Sequence, residues 1–410
     1  MRLLARGLSA AALLLAPLAA LPSAAAQPDP APSAPLMRSG RAVPNQYIVT
    51  LGKSVQPASF VKKVGVRPMF SYGTVMRGFA ATLTPSQVSM LRRTPGVTAV
   101  EENGRVDAFG DGPARVGQPR GRRNPLDLPE PGLVAPRMAQ SWGLDRIDQR
   151  DLPLDHRFSG SDDGRGATAY IMDTGIDYGH DEFGGRAVPG LDTVGDGRAG
   201  ADCNGHGTHV AGTVAGRDYG VAPAARLVSV RVLNCTGNGT WAQVLAGMDW
   251  VAANAVQPAV LNASLGGPYS QAVNEATDAL ARTGVLPVVA AGNATQDACG
   301  VSPASADHAL TVGATDRDDR QTAFSNYGAC VSLFAPGKDI VSALIGGGSV
   351  AEDGTSMASP HAAGVALLYK AEHPSASSDQ VAAWMLGTST KDVLSVDHGS
   401  PNRLLYTGGL

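Results

Sequence analysis

A serine, a histidine and an aspartate sit in surroundings that could make them a hydrolytic centre. In Gly354-Thr355-Ser356-Met357-Ala358-Ser359-Pro360-His361 the chain passes from small residues into the helix-forming run Ala362 to Lys370. A helix start there would surround Ser356 with free backbone N–H groups and about half a positive charge, part of a site for a developing anion. Pro360 lacks an N–H and fits only near a first turn, which agrees with this register. The apolar run Ala169-Tyr170-Ile171-Met172 ends in Asp173 and is followed by Gly175, the pattern of a buried strand with an acid at its carboxyl end. Open α/β sheets place their sites at that end. Asn204-Gly205-His206-Gly207-Thr208-His209 adds two histidines in a glycine-rich frame. A His-x-x-His pair can ligate zinc, but no third ligand follows at the usual spacing. Together Asp173, His206 and Ser356 offer an orienting acid, a base that titrates near neutrality and a nucleophile. Asp177, four residues after Asp173, competes for the first role.

The order Asp, His, Ser along the chain is that of subtilisin. With Ala290-Ala291-Gly292-Asn293 and Trp142-Gly143-Leu144-Asp145-Arg146-Ile147-Asp148, these motifs make the chain resemble the subtilisin-like serine proteases. Within them it is similar to the secreted bacterial proteinase K-like branch typified by aqualysin, over about Trp142 to Tyr406. The resemblance implies a serine endopeptidase. Its Asp-Thr-Gly motif assigns the orienting role to Asp173, and its catalytic histidine corresponds to His206, leaving His209 structural. Asn293 matches the side-chain donor that joins the Ser356 N–H in binding the oxyanion. Gly237-Asn238-Gly239 and Ser264-Leu265-Gly266 match the two segments that hold a substrate as an extended strand between them. Ala290, Ala291 and Gly292 would leave an open apolar first pocket, and Trp241 matches an aromatic of the fourth subsite. Broad cleavage after apolar residues is implied.

The same resemblance implies structural calcium. Asp145, Asp148, Gln149 and Asp155 match a calcium site of the branch, and Asp192 and Asp196 resemble a second. Calcium takes six to eight oxygens, so these side chains would be helped by carbonyls and water. At a third position the family commonly has an aspartate where this chain has Ser332, so that site should be feeble unless Asp307 compensates. Four cysteines allow three pairings, and spacing alone does not choose among them. Aqualysin-like spacing implies Cys203 with Cys235 and Cys299 with Cys330.

The remainder of the chain frames this centre. At 410 residues and 43% hydrophobic it can bury a sizeable core and is too long for one typical domain. A net charge of −3 gives no electrostatic reason to expect nucleic acid or an anionic membrane as partner. Residues 1–26 have Arg2 and Arg6, an Ala/Leu core and Ala24-Ala25-Ala26, the three parts of a secretory signal. We therefore expect a secreted protein with no membrane attachment once the signal is removed, and a monomer. Export makes the cysteines candidates for disulfides. Residues 27–45 are rich in Pro, Ala and Ser and read as an unfolded spacer.

Residues 46–108 read as a small α+β domain: strands at Tyr47 to Leu51, Val75 to Leu83 and Val97 to Glu101, and a helix at Thr84-Pro85-Ser86-Gln87, where Thr caps and Gln completes a capping box. Its place before a subtilisin-like domain implies a ferredoxin-like propeptide that acts as intramolecular chaperone and inhibitor. Residues 109–139, with Arg120-Gly121-Arg122-Arg123, read as an exposed processing linker. From 140 to 410 strand signals at Ala167, Arg226, Ala259, Leu286 and Leu310 alternate with helices such as Trp241 to Ala253, the signature of an α/β, mostly parallel, doubly wound sheet. The sequence ends soon after Tyr406, so no appended domain is expected.

Overall fold

The structure, a computed structural model, describes residues 33–109, 115–116 and 137–410. The chain divides into the units Met1–Ser33 and Ala34–Leu410, and all of the described helices and strands lie in the second. The expected signal segment 1–26 and most of the linker, including Arg120-Gly121-Arg122-Arg123, lie outside the described residues.

The amino-terminal part runs β1 (Ala42–Leu51), α1 (Pro57–Val64), β2 (Phe70–Tyr72), β3 (Gly78–Thr82), α2 (Pro85–Arg92) and β4 (Val97–Ala108). The strands form an antiparallel sheet in the order β4-β1-β3-β2, the ferredoxin-like arrangement. Side chains alternate across β1, so Val49 and Leu51 meet Phe60, Phe79 and Leu91 under the two helices. Ile48 faces the other way and shares a core with Tyr72, Val106 and residues of the second part such as Trp241 and Met248. Helix α2 starts as its sequence dictates: Thr84 Oγ1 accepts from Gln87 N at 3.3 Å and Thr84 N donates to Gln87 Oε1 at 2.9 Å.

The spacer reading of 27–45 needs correction where the chain is described. Leu36–Met37 pairs parallel with Val100–Glu101 on the free side of β4, and Ala34 is buried, its N–H donating to Arg92 O at 2.7 Å. Strand β1 begins at Ala42, inside the segment read as unfolded. Composition favoured a coil, but an open strand edge on β4 offers backbone partners that composition does not register.

The larger part contains β5 (Thr168–Asp173), β6 (Ala187–Asp192), α3 (His206–Ala215), β7 (Arg226–Arg231), β8 (Asn238–Thr240), α4 (Trp241–Asn254), β9 (Ala259–Ala263) and β10 (Leu265–Pro268). It continues with α5 (Gln271–Ala281), β11 (Leu286–Ala290), β12 (Leu310–Thr315), β13 (Leu333–Pro336), β14 (Ile340–Ala343), β15 (Ser349–Glu352), α6 (Thr355–Glu372) and α7 (Ser378–Thr388). The parallel core sheet is ordered β6-β7-β5-β9-β11-β12-β13. Along β5, Ala169 and Ile171 face the layer of α3 and α6, while Tyr170 and Met172 face that of α4 and α5. Helices on both faces explain why β5, β9 and β11 are buried at every position.

One register reading fails. Helix α6 begins at Thr355, so Pro360 lies inside it and not in its first turn. Proline's missing N–H would leave the Ser356 carbonyl without a helical donor, and the Ser264 hydroxyl supplies one at 2.9 Å.

Candidate active site

Asp173 ends β5 at the carboxyl edge of the sheet, beside the switch where β7 lies on one side and β9 on the other. It is fully buried, and its Oδ1 accepts from Thr174 N at 2.7 Å and lies 2.7 Å from His206 Nδ1. His206 is the first residue of α3, after Gly205 in a left-handed conformation (φ 109°). Burial works to depress the imidazole, but the charge and hydrogen bond of Asp173 outweigh it, and His206 is held up to about 9. Asp177 spends its carboxylate on Gly179 N and Gly346 N, both away from His206. His209 turns its Nε2 to the carbonyls of Ile340 and Val350, at 3.0 and 3.2 Å, so the two histidines do not face a common ligand position.

Asp202 escaped the sequence reading. Its buried carboxylate accepts from Thr174 Oγ1 at 2.9 Å and from Gly205 N, Asn204 N, Thr208 N and Thr208 Oγ1. It thereby ties the turn after Asp173 to the start of α3. The available signal was an acid a few residues before a helix start, where N–H groups are free.

Ser356 is the second residue of α6 and is fully buried. Its Oγ donates to Ser264 O at 3.1 Å, and His206 Nε2 has no hydrogen-bond partner. Asn293 follows β11; its Oδ1 accepts from Thr355 N at 2.9 Å and Thr355 Oγ1 at 2.8 Å. Those two bonds orient the amide so that Nδ2 donates to Phe109 O at 2.7 Å. Gly354 lies between them: a Cβ there would sit 2.5 Å from Phe109 O.

Phe109, read from sequence as the first residue of an exposed linker, thus sits in the site. The end of β4 is paired antiparallel on both sides, with Asn238 and Gly239 opposite Asp107 and Val106, and Leu265 and Gly266 opposite Ala108 and Asp107. Ala108 N donates to Gly237 O at 2.9 Å and Phe109 N to Ser264 O at 3.3 Å. The Phe109 ring lies where a Cβ at Gly266 would collide with it and packs near Ala291, Ala298 and Val301. Ala290 is buried at the end of β11, and Gly292 N is held by Thr355 Oγ1 at 3.1 Å. Trp241 is buried beneath Gly104 and Gly267, in one cluster with Val106 and Leu265.

Three further contacts bind the two parts. Glu101 accepts from Ala272 N at 3.2 Å and Asn103 from Ala242 N at 2.9 Å, so one side chain meets the start of α5 and the other the start of α4. Asp249 on α4 accepts from Gly73, Thr74 and Val75 N–H groups.

The carboxylates expected to hold calcium divide. Asp145 is buried and accepts from Asp155 N at 3.2 Å and His156 N at 2.8 Å; Asp148 Oδ2 accepts from Ser159 N at 2.7 Å. Gln149 Oε1 accepts from Asp155 N at 3.3 Å and its Nε2 donates to Pro153 O at 2.9 Å. Asp148 Oδ1 is buried without a partner, and burial together with the charges of Asp145 and Asp155 pushes its carboxyl up to about 7. The buried, unpartnered Asp148 Oδ1 beside repelling acids is the feature that suits a cation, and the oxygens of Asp145 and Asp155 would have to draw closer to it to share the ion.

Asp192 and Asp196 do not fit one. The buried Arg231 guanidinium reaches Asp192 Oδ2 at 3.1 Å and Asp196 at 2.6 and 2.8 Å, and holds Asp196 down to about 2. Both acids are spent on a cation the chain already carries, and Arg231 in turn donates to Thr174 O at 2.9 Å beside Asp173. Ser332 Oγ accepts from Thr311 N at 3.0 Å. The disulfides join Cys203 with Cys235 and Cys299 with Cys330, the pairing the resemblance implied.

Fold and site define a serine peptidase of subtilisin-like architecture carrying an inhibitor-type domain ahead of it. The subtilase family pattern matches residues 164–405 and the peptidase inhibitor I9 pattern residues 46–108. The chain belongs to the subtilase family. It is 44% identical to the alkaline serine exoprotease A of Vibrio alginolyticus over 87% of its own length, spanning 62% of that protein. To the extracellular serine proteinase of Thermus sp. (strain Rt41A) it is 43% identical, over 84% of this chain and 78% of the other. A solved cold-adapted subtilisin-like serine proteinase shares 49% identity at a TM-score of 0.64, covering 65% of this chain and 97% of that one.

Proposed function

We propose that the chain is a secreted, self-processing serine endopeptidase that cuts its own backbone between Phe109 and Gly110 and then other polypeptides after apolar residues. The observation that carries this reading is the 2.7 Å bond from Asn293 Nδ2 to the Phe109 carbonyl, with the preceding residues held as a middle strand between β8 and β10. A carbonyl so held is polarised where an oxyanion would form. Rotation of the Ser356 hydroxyl from Ser264 O toward Nε2 of the neutral form of His206 lets the imidazole take its proton as Oγ attacks the Phe109 carbonyl carbon, so the first cut should quicken as pH rises toward about 9. Asp173 holds the imidazole by Nδ1 and stabilises the imidazolium, which then returns the proton to the Gly110 nitrogen as the peptide bond breaks. Water repeats the sequence on the acyl-enzyme and frees Ser356.

In this reading residues 46–108 are a propeptide that templates and then inhibits the peptidase domain, 140–410. The bonds from Glu101 and Asn103 to α5 and α4, and the clasp of Asp249, keep the cut product in place. Cleaving at Phe109 leaves the segment from Gly110 on the enzyme for later trimming. Calcium at Asp145, Asp148 and Asp155 stabilises the fold without entering the chemistry, and the named relatives' extracellular character supports secretion after loss of 1–26. Intact mass and amino-terminal sequencing of the wild type and of Ser356→Ala test the reading. A first product beginning at Gly110, absent from the variant, is expected; a variant trimmed like the wild type in a host without extracellular proteases would overturn it.

A further inference from the structure

The hairpin β14–β15 stands immediately before Gly354 and, among the described residues, pairs with one further strand. Arg115–Val116 pairs antiparallel with the outer edge of β15, Val116 opposite Val350 and Arg115 opposite Ala351. Those residues are the sixth and seventh after Phe109, whose carbonyl is in the site. The direction matches a chain leaving the site: Arg115, nearer the cut, pairs with Ala351, nearer Ser356, and Val116 pairs one residue farther back. Six extended residues reach about 20 Å.

The edge is held firmly. His209, on the helix that carries His206, bonds the carbonyls of Ile340 and Val350, while Ser342 Oγ donates back to His209 O at 2.8 Å. At the turn, Gly346 N donates to Asp177 Oδ2 at 2.9 Å and His180 Nε2 lies 3.1 Å from Gly348 O. A strand so fixed to the base-bearing helix keeps its distance from the reacting bond.

We propose that the outer edge of Ser349–Glu352 is a docking rail for the leaving-group side of the substrate. It takes the sixth and seventh residues beyond the scissile bond by main-chain pairing. The occupant is an extended polypeptide of any side-chain sequence, because an edge strand reads backbone donors and acceptors. In the precursor Arg115–Val116 fills this place; in the matured enzyme a substrate chain does. The enzyme is therefore selective for length beyond the cut, and favours proteins over short peptides. This rests on the endopeptidase reading, and the test separates the two.

Three peptides sharing Val-Asp-Ala-Phe before the cut are compared on the enzyme matured from the full chain. One has three residues after the cut, one has nine, and one has nine with the sixth and seventh nitrogens methylated. The nine-residue peptide should show about tenfold higher kcat/KM than the three-residue one, the yield of two added main-chain hydrogen bonds. Methylation should return it to the short peptide's value. Equal values for all three, or a gain that survives methylation, overturn the rail. No cleavage of any of them overturns the endopeptidase reading instead.

Discussion

Ser356 and Ser264 exchange hydrogen bonds: Ser356 Oγ donates to Ser264 O at 3.1 Å, and Ser264 Oγ donates to Ser356 O at 2.9 Å. The second bond repairs the gap that Pro360 leaves in α6, and Asn262 Nδ2 supports it by donating to Ser264 Oγ at 2.9 Å. Ser264→Ala would leave a buried carbonyl and a buried amide without partners at once. The expected loss is about 1–3 kcal/mol, read as a lower denaturant midpoint at unchanged slope for enzyme acylated at Ser356. An unchanged midpoint would mean that α6 tolerates Pro360 unaided.

Asn293 acts on the transition state if it holds the oxyanion, because its donor meets most charge there. Asn293→Ala should lower kcat by about 100- to 1000-fold with little change in KM, the magnitude seen for the corresponding asparagine of subtilisin. A variant that raises KM and spares kcat would place Asn293 in ground-state binding.

The Phe109 ring fills a pocket bounded by Gly266 and Ala291, with Val301 in the same cluster and a single aromatic side chain as occupant. Phe109→Asp would bury a charge in apolar surroundings and should slow the first cut by more than about a hundredfold, visible as accumulated precursor. Phe109→Leu should be processed nearly as fast. Equal processing of Asp and Leu variants would show that main-chain pairing alone selects the bond.

His206 is held near 9 by Asp173 while the propeptide covers it, against an ordinary value of 6.5. A raised folded-state value stabilises fully below the unfolded value and is lost as pH climbs through the folded one. The uncut Ser356→Ala precursor should lose up to about 3 kcal/mol between about pH 6.5 and pH 9.5 through this group. The decline should vanish when His206→Ala is added, as urea unfolding across that range would report.

What the sequence made legible was local or strongly patterned. The capping box of Thr84 and Gln87 lies within four residues, and the alternation of strand and helix signals around Asp173 and Asn293 reports a buried parallel sheet directly. What it hid depends on partners far along the chain. Phe109 reads as linker because nothing near it announces that Asn293 will bind its carbonyl. Asp192 and Asp196 read as calcium ligands because Arg231 arrives from another strand, and Pro360 reads as lying near a first turn because Ser264 is ninety-odd positions away.

The proposed calcium site can be tested apart from the loop that would carry it. Asp145 spends both oxygens on the N–H groups of Asp155 and His156, so removing it would loosen the loop whether or not a cation is bound. Asp148, with Oδ1 buried and unpartnered, is the residue that separates the two effects. Chelation should lower the unfolding temperature of the wild type while leaving probe labelling of Ser356 intact at temperatures below that transition. Asp148→Asn removes a charge and keeps the shape, so without calcium it should melt at or above the chelated wild type, because repulsion from Asp145 and Asp155 is relieved. Added calcium should then raise its melting temperature far less than the wild type's. Identical calcium responses in the two proteins would remove Asp148 from the site, and a wild type that melts alike with calcium and with chelator would remove the site itself.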